Sequence, residues 1–561
     1  MIKHLHIKTF SVFFISLVFL VSCNQTRHLM QDQYLLTRNR IEITDTHVSR
    51  ENLKNLLRQR PNRKILFVYP FHLSMYNFAQ RRGDGQVFNW VRNTIGEPPV
   101  IYDPGMVHAS VRQLELYMHS RGYFGANVTF HTRFIRNRAW VTYEITGNDA
   151  YLIQDINYLI EDRHLSSFVL ADTSNSLLNK GDRFDTDRML AERERIERHL
   201  RNNGFFNFSR EFIEYRIDSN LYRNSLNLEI LINNPVRQVP GIRDSLIEYR
   251  HKRFKIDEVL ILPEFSLLEA DLPRRDTLIY SRRFSESGPD YRYKLIYDDF
   301  LRIKPRVITN HIMIRPGDFF RVHDVEQTYT FLSGMRNFRF INLNFSEFDQ
   351  SPLGATTDTT GFLQSQIQLT RSPSNAFTVE AEGFDTGGNL GIAGNLLFQN
   401  RNIFRGAEML NLRFKGALEI SGEAAGNGVI DRLPFNTLEL GFEAGLDFPA
   451  LLLPFRIDRI TRNSRPSSQI TTGVNYRQRP DYTRFILNLN YGFEWNETPQ
   501  KRHFINPFEL SSIRIFNDSI LRANIPDANP LLMSRFSNHL IHGASYTYIH
   551  NTQQLGRIGN F

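Results

Sequence analysis

Residues 438–448 read LELGFEAGLDF. Leu438, Leu440, Phe442, Ala444, Leu446 and Phe448 alternate with Glu439, Gly441, Glu443, Gly445 and Asp447. Successive side chains of a strand point to opposite faces, so a period of two separates an apolar face from a polar one. The pattern recurs at Phe485, Leu487, Leu489, Tyr491, Phe493 and Trp495, set between Arg484, Ile486, Asn488, Asn490, Gly492, Glu494 and Asn496. It recurs again at Leu412, Phe414, Gly416 and Leu418, with Arg413, Lys415, Ala417 and Glu419 on the other face. Such runs exceed the roughly five or six residues of an ordinary strand. They match the roughly 9–11 tilted residues that carry a strand across a bilayer, apolar face to lipid and polar face to lumen. About eight such strands are expected between residues 375 and 550.

Upstream of 375 the periodicity changes to mixed α and β, and one unit repeats. Its first instance is a helix over Val107–Ser120, with Val107, Val111, Leu114 and Met118 on one stripe. Arg121-Gly122-Tyr123-Phe124 follows, then strands over Ala126–Phe130 and Ala139–Ile145. The second has a helix over Thr186–Arg201, the turn Asn203-Gly204-Phe205-Phe206, and strands over Glu211–Ile217 and Leu226–Ile232. The third has a helix near Asp324–Ser333, then Asn337–Ile341 without the glycine, and a last strand over Leu363–Leu369. Strands precede these helices at Ile153–Ile160 and Phe254–Leu262, and Arg63–Val68 is a candidate opening strand for the first unit. Gly after a helix is a C-cap signal, because a left-handed backbone is undemanding there. A segment rich in Arg, Asp and Pro over Val236–Phe300 interrupts the third unit.

The N-terminus carries Lys3 and Lys8, then an apolar stretch from Phe10 to Val21 broken by Ser11 and Ser16. That is the length of a secretory signal core. It ends Leu20-Val21-Ser22-Cys23, which resembles a bacterial lipobox, and Cys23 is the one cysteine among 561 residues. Residues 1–22 are therefore expected to be removed and Cys23 lipidated. Asn24 follows, in place of the Asp associated with inner-membrane retention, so outer-membrane delivery is expected. A single cysteine excludes a disulfide framework within the chain and a Cys-rich metal site. After residue 22 no apolar run reaches the roughly 18 residues of a spanning helix. With 68 Lys and Arg against 59 Asp and Glu, the net charge is +9. In an exported chain, basic stretches such as Arg58–Lys64 point to lipid phosphates or acidic partners and not to nucleic acid.

The repeated units resemble POTRA domains, the periplasmic modules that precede outer-membrane assembly barrels, on their order and on the turns at Gly122 and Gly204. The stretch from Phe377 to Glu408 is similar to the opening hairpin of barrels in the BamA/TamA superfamily, the bacterial surface antigen group. A first strand is followed there by a Gly-rich turn, a second strand and an Asn-x-Phe-x-Gly connection, supplied here by Asn402, Phe404 and Gly406. Residues 505–510, reading INPFEL, resemble the lipoprotein variants of TamA.

The resemblance implies α+β POTRA-like repeats followed by an antiparallel transmembrane β-barrel. The organisation expected is a signal peptide at 1–22, a tether and start of the first module at 23–62, and modules at 63–148, 149–236 and 237–372, the last with an insertion. The N-terminal part of the barrel then occupies 373–561. The superfamily closes a barrel of 16 strands, of which about eight are expected here, and it carries a late Arg-Gly-aromatic motif approximated only at Arg121-Gly122-Tyr123, inside a module. Residues 551–561 do not alternate like a closing strand. A chain cut in mid-barrel is the expectation, with an eight-stranded barrel of its own as the alternative.

Implied further is a non-enzymatic role in assembling or translocating outer-membrane proteins. Unfolded clients would dock on module edges and template on the first strand, at Phe377, Val379, Ala381 and Gly383. Outer-membrane lipids and a TamB-like partner spanning the periplasm complete the implied partners. Two alternatives are a secretion pore for a dedicated partner and a surface lipoprotein with a soluble β-domain. No cofactor or metal is expected, since His-Glu-x-x-His is absent and the seventeen His are scattered. Asp172-Thr173-Ser174 and Asp385-Thr386-Gly387 resemble an aspartic-protease pair, but they fall in a module and in a hairpin, where turn chemistry explains them.

Overall fold

The computed structural model describes residues 26–551 apart from 27–28, 31, 45–47, 66–68, 84, 221–223, 239–245, 267–275, 284–288, 349, 352–353, 356, 358, 387–388, 421–434, 453–465, 481, 499 and 517–536. The chain forms two compact units, 1–199 with 208–250, and 200–207 with 251–561. The fold combines α+β modules with an antiparallel sheet of membrane-length strands, as the periodicities require.

The first unit opens with β1 (Leu35–Ile43), followed by α1 (Arg50–Leu56), α2 (Phe71–Arg81), α3 (Gln86–Trp90), α4 (Pro104–Ser120), β2 (Asn127–Ile135) and β3 (Arg138–Thr146). The sheet order is β1-β3-β2, with β1 parallel to β3 and β2 antiparallel to it. Pro104 stands in the first turn of α4, and Asp103 caps the helix by accepting from the Gly105 N–H at 2.8 Å. Val107, Leu114 and Met118 are buried against Leu36, Val141 and Tyr143. The opening strand lies upstream of the boundary expected at residue 63. Leu36 and Ile41 complete the core that β3 presents, whereas Ile65 makes only a single bridge to Tyr69. The helices α2 and α3 are an insert between α1 and α4 that periodicity had not revealed.

The second module repeats the plan with β4 (Leu152–Ile160), α5 (Arg163–Ala171), α6 (Thr186–Asn202), β5 (Ile213–Asn220) and β6 (Ser225–Ile232), in the order β4-β6-β5. In β6, Leu226, Leu228, Ile230 and Ile232 all point into the core, the period-two signature of a half-buried strand. The turn after α4 joins the two modules. Gly122 has φ +88°, and its carbonyl accepts from the Tyr151 N–H at 2.9 Å. A Cβ at Gly122 would lie 2.7 Å from the Phe184 carbonyl oxygen. Arg121 clamps the same junction through Asp185, at 2.7 Å, and Asp187. A short hairpin, β7 (Val236–Gln238) with β8 (Leu246–Glu248), ends the unit.

The second unit begins with the turn at 200–207, where Gly204 has φ +103° and its carbonyl accepts from the Phe254 N–H at 2.8 Å. Its module contains β9 (Arg253–Leu262), β10 (Asp276–Arg283), β11 (Asp290–Tyr297), α7 (Pro305–Asn310), α8 (Val322–Gly334) and β12 (Phe338–Glu347). A minor hairpin of β13 (Gln350–Ser351) and β14 (Gly354–Ala355) precedes β15 (Thr360–Arg371). The sheet order is β10-β11-β9-β15-β12. Its β9-β15-β12 core repeats the β4-β6-β5 pattern, and the insertion adds the β10–β11 hairpin by parallel pairing of β11 with β9. Where this module lacks the post-helical glycine, Arg336 takes the left-handed position at φ +58°.

Eight strands follow: β16 (Asn375–Thr386), β17 (Asn389–Asn400), β18 (Met409–Glu419), β19 (Thr437–Phe448), β20 (Ser467–Gln478), β21 (Thr483–Thr498), β22 (Lys501–Phe516) and β23 (His539–His550). Each pairs antiparallel with the next in an unbroken meander. A typical strand has 12 residues. At a rise of about 3.3 Å per residue and a tilt of about 40° it spans roughly 30 Å, the hydrocarbon thickness of a bilayer.

Candidate functional site

The register of the eight-stranded sheet lines up its two faces. Val379, Leu396, Phe414, Phe442, Val474 and Leu487 are successive cross-strand partners from β16 to β21. Phe377 packs on Phe398 and Phe414 on Phe442, with ring centroids 5.0 and 4.9 Å apart. Yet these side chains stay open on the sheet's surface, with Phe377 70% and Val379 79% exposed. A continuous apolar band of this kind is stable in lipid and unfavourable in water.

The opposite face carries a polar network. Glu439 accepts from Lys415 Nζ at 3.3 Å and Asn475 Nδ2 at 3.0 Å, and Arg477 reaches Glu419 at 2.7 Å. Gln399 donates to Asn411 at 2.8 Å, and Asn411 to Asp447 at 3.2 Å. Opposite charges across strands support register and fill a face that lipid would not tolerate.

Among the described residues β16 pairs with β17 alone, and no pairing joins it to β23. Phe377, Val379, Ala381 and Gly383, the residues expected to template a client, therefore stand on the apolar face of an edge strand. An edge strand presents a row of backbone donors and acceptors, and in a membrane each one left without a partner costs several kcal/mol.

Asn402, Phe404 and Gly406 form the turn between β17 and β18, and this turn is fixed to the preceding module. Asn402 Nδ2 donates to the Arg302 carbonyl at 2.9 Å, while Asn402 Oδ1 accepts from the Ala407 N–H at 3.0 Å. The Lys304 N–H donates to the Arg405 carbonyl at 2.9 Å, and the Arg405 guanidinium reaches the Leu301 carbonyl. Asn337 Nδ2, from the end of α8, donates to the Arg401 carbonyl at 2.6 Å. Ala407 is buried within the hydrophobic core that includes Leu301, Ile303, Ile308 and Met335. Arg405 and Ala407 both have φ +64°, so the turn uses two left-handed residues that are not glycine.

Glu408 is a determinant that sequence reasoning missed. Its carboxylate accepts from the Gly406 N–H at 2.8 Å and the Phe404 N–H at 3.3 Å. A Cβ at Gly406 would lie 2.1 Å from Glu408 Oε1, so a side chain there would push the carboxylate off these two amides. Phe404 is 54% exposed and takes no part in the docking.

Cys23, with Leu20, Val21 and Ser22, lies outside the described residues. Of the two acidic motifs, Asp172 belongs to an ion-pair network at the end of α5. Burial alone would raise its carboxyl; the Asn175 amide at 2.7 Å, His199 at 3.2 Å and the Arg195 guanidinium outweigh that and hold it below the usual carboxylate range. Arg195 also binds Glu192 at 2.9 Å, and Glu192 accepts from the Leu177 N–H at 2.8 Å. Asp385 stands opposite Leu390 in the β16–β17 hairpin. Among the described residues no cluster of metal-binding side chains occurs, and no helix is long and apolar enough to cross a membrane.

No protein-family model and no curated protein matches the chain. Several solved structures are similar to it. BamA from Haemophilus ducreyi lacking POTRA domains 1–3 aligns over 73% of this chain and 61% of its own length, at 9% identity and a TM-score of 0.38. POTRA3–5 of Haemophilus influenzae BamA align over 61% of this chain and 99% of that one, at 9% identity and a TM-score of 0.29. CdiB from Acinetobacter baumannii aligns over 66% and 55%, at 10% identity and a TM-score of 0.30. The chain thus spans less than two thirds of those BamA and CdiB structures.

Proposed function

We propose that this protein is an outer-membrane assembly or translocation factor of the BamA/TamA type, lipid-anchored through Cys23, with its modules in the periplasm. Unfolded outer-membrane clients, extended and short of partners, add to module edges by backbone hydrogen bonding, which makes little demand on sequence. They then pair with β16, whose edge carries Phe377 and Val379 open on the lipid face. The observation that carries the reading is the continuous apolar band across β16 to β21, with Phe377 and Val379 open on it. A client strand satisfies backbone groups that lipid cannot, so pairing is strongly favoured without any covalent step. Of the two assembly roles, the TamA-like one fits a set of three modules, with a TamB-like protein as the periplasmic partner.

The test is Val379→Pro, which removes a backbone donor from the first strand and stiffens it. The expected outcome is normal export and membrane level of the variant with loss of client assembly, measured as folded client in outer-membrane fractions. Unimpaired client assembly would refute templating at β16.

A further inference from the structure

We infer that the helical insert of the first module, α2 and α3, is a docking surface for anionic lipid headgroups. The inference rests on the reading of the chain as exported and lipid-anchored. The insert exposes large apolar side chains: Phe78 is 42%, Val87 69% and Trp90 57% exposed. Val87 and Trp90 are three residues apart in the run of helix that begins at Gln86, so they share a face. Phe78 and Phe88 meet edge to face at 6.4 Å, which joins α2 to α3. A Trp flanked by aliphatic and aromatic side chains suits the interface between headgroups and acyl chains.

Charge selects the occupant. Between residues 58 and 96 there are seven Arg and Lys against Asp84 alone. Arg81 and Arg82 end α2, the Arg82 guanidinium lying 5.3 Å from the ring centroid of the exposed Phe78. Basic side chains around an exposed apolar patch are complementary to an anionic lipid surface, each contributing about fivefold in affinity. Reach permits the contact. Eleven residues separate Cys23 from Leu35, and fully extended they span at most about 40 Å. A lipid on Cys23 therefore confines the first module near the membrane, where a weak surface contact is effective because it is intramolecular.

The 561-residue chain serves for the test, since Trp90, Trp140 and Trp495 are its three tryptophans. Trp140→Phe with Trp495→Phe leaves Trp90 as the only reporter, and Trp90→Phe with Trp140→Phe leaves Trp495 on β21. Each variant is reconstituted into phosphatidylcholine vesicles with or without phosphatidylglycerol, and fluorescence quenching by lipids brominated near the headgroup is read. Quenching of Trp90 is expected with phosphatidylglycerol, and its loss in pure phosphatidylcholine, at high salt or with Arg81→Ser and Arg82→Ser. Trp495 is expected to be quenched throughout. If Trp495 is quenched and Trp90 is not, the inference fails while the membrane sheet stands. If neither is quenched, the membrane reading itself fails. Trp90 quenching indifferent to lipid charge and to the two arginines would overturn the choice of occupant, as would a blue shift of Trp90 independent of brominated lipid, which would report a protein surface over the patch.

Discussion

Replacing Asn402 with alanine tests how the eight-stranded sheet is fastened to the module before it. The substitution removes the donor to the Arg302 carbonyl and the acceptor for the Ala407 N–H, at 2.9 and 3.0 Å. The first bond is exposed, and such a bond contributes about 0.5 kcal/mol net; the second serves an amide in a residue only 5% exposed, and leaving it without a partner costs about 1–3 kcal/mol. Together the turn should lose about 2 kcal/mol of local stability, equivalent to a roughly 30-fold larger open population. Hydrogen–deuterium exchange of the peptide covering residues 401–410 reads that population directly in the folded protein. Exchange there should accelerate about 30-fold in Asn402→Ala, while a peptide in β19 stays unchanged. Asn402→Asp, which keeps the acceptor and loses the donor, should accelerate it by much less. Equal exchange in wild type and Asn402→Ala would show that the turn is held by Ala407 packing and backbone contacts, and the assigned role of Asn402 would be wrong.

Two further outcomes follow from the first unit. Gly122→Ala forces a Cβ into a left-handed backbone and to within 2.7 Å of the Phe184 carbonyl. Strain of about 1–2 kcal/mol plus that clash should lower the unit's thermal midpoint by several degrees, measured by circular dichroism, and an unchanged midpoint would refute the clash. Asp172 has a depressed folded-state pKa, so its stabilisation is complete above the unfolded value of about 3.9 and is lost as pH falls through the lower folded value. Asp172→Asn should therefore unfold earlier than wild type at pH 7, with the difference closing below about pH 4; a difference that persists there would locate its effect outside the ion pair.

The strands of the eight-stranded sheet were legible because one face of each is apolar and the other polar, so the alternation at 438–448 survives almost intact in β19. The turns at Gly122 and Gly204 were legible because φ near +90° to +100° favours glycine. In the third module that signal disappears, since Arg336 occupies the left-handed position. The strand β1 was missed because its partner β3 lies about 100 residues downstream, and a parallel pairing leaves no hairpin signal. The same applies to the Asn402 turn. Its residues suggested a connection, but its anchorage to Arg302 and Asn337 is a long-range contact that no local pattern encodes.

The β10–β11 hairpin changes what the third module offers to other chains. With strands about 4.8 Å apart, it moves that side of the sheet outward by about 10 Å and replaces the module's own first strand with one drawn from the insertion. Tyr293 and Leu295 of β11 are buried in the module core, whereas Ile279 of β10 is 64% exposed. Leu278 and Tyr280 of β10 also pack against that core, so structural duty and exposure are divided between the two faces of the strand. Sequence drift on its exposed face can retune what this module touches while the residues that keep it folded remain as they are.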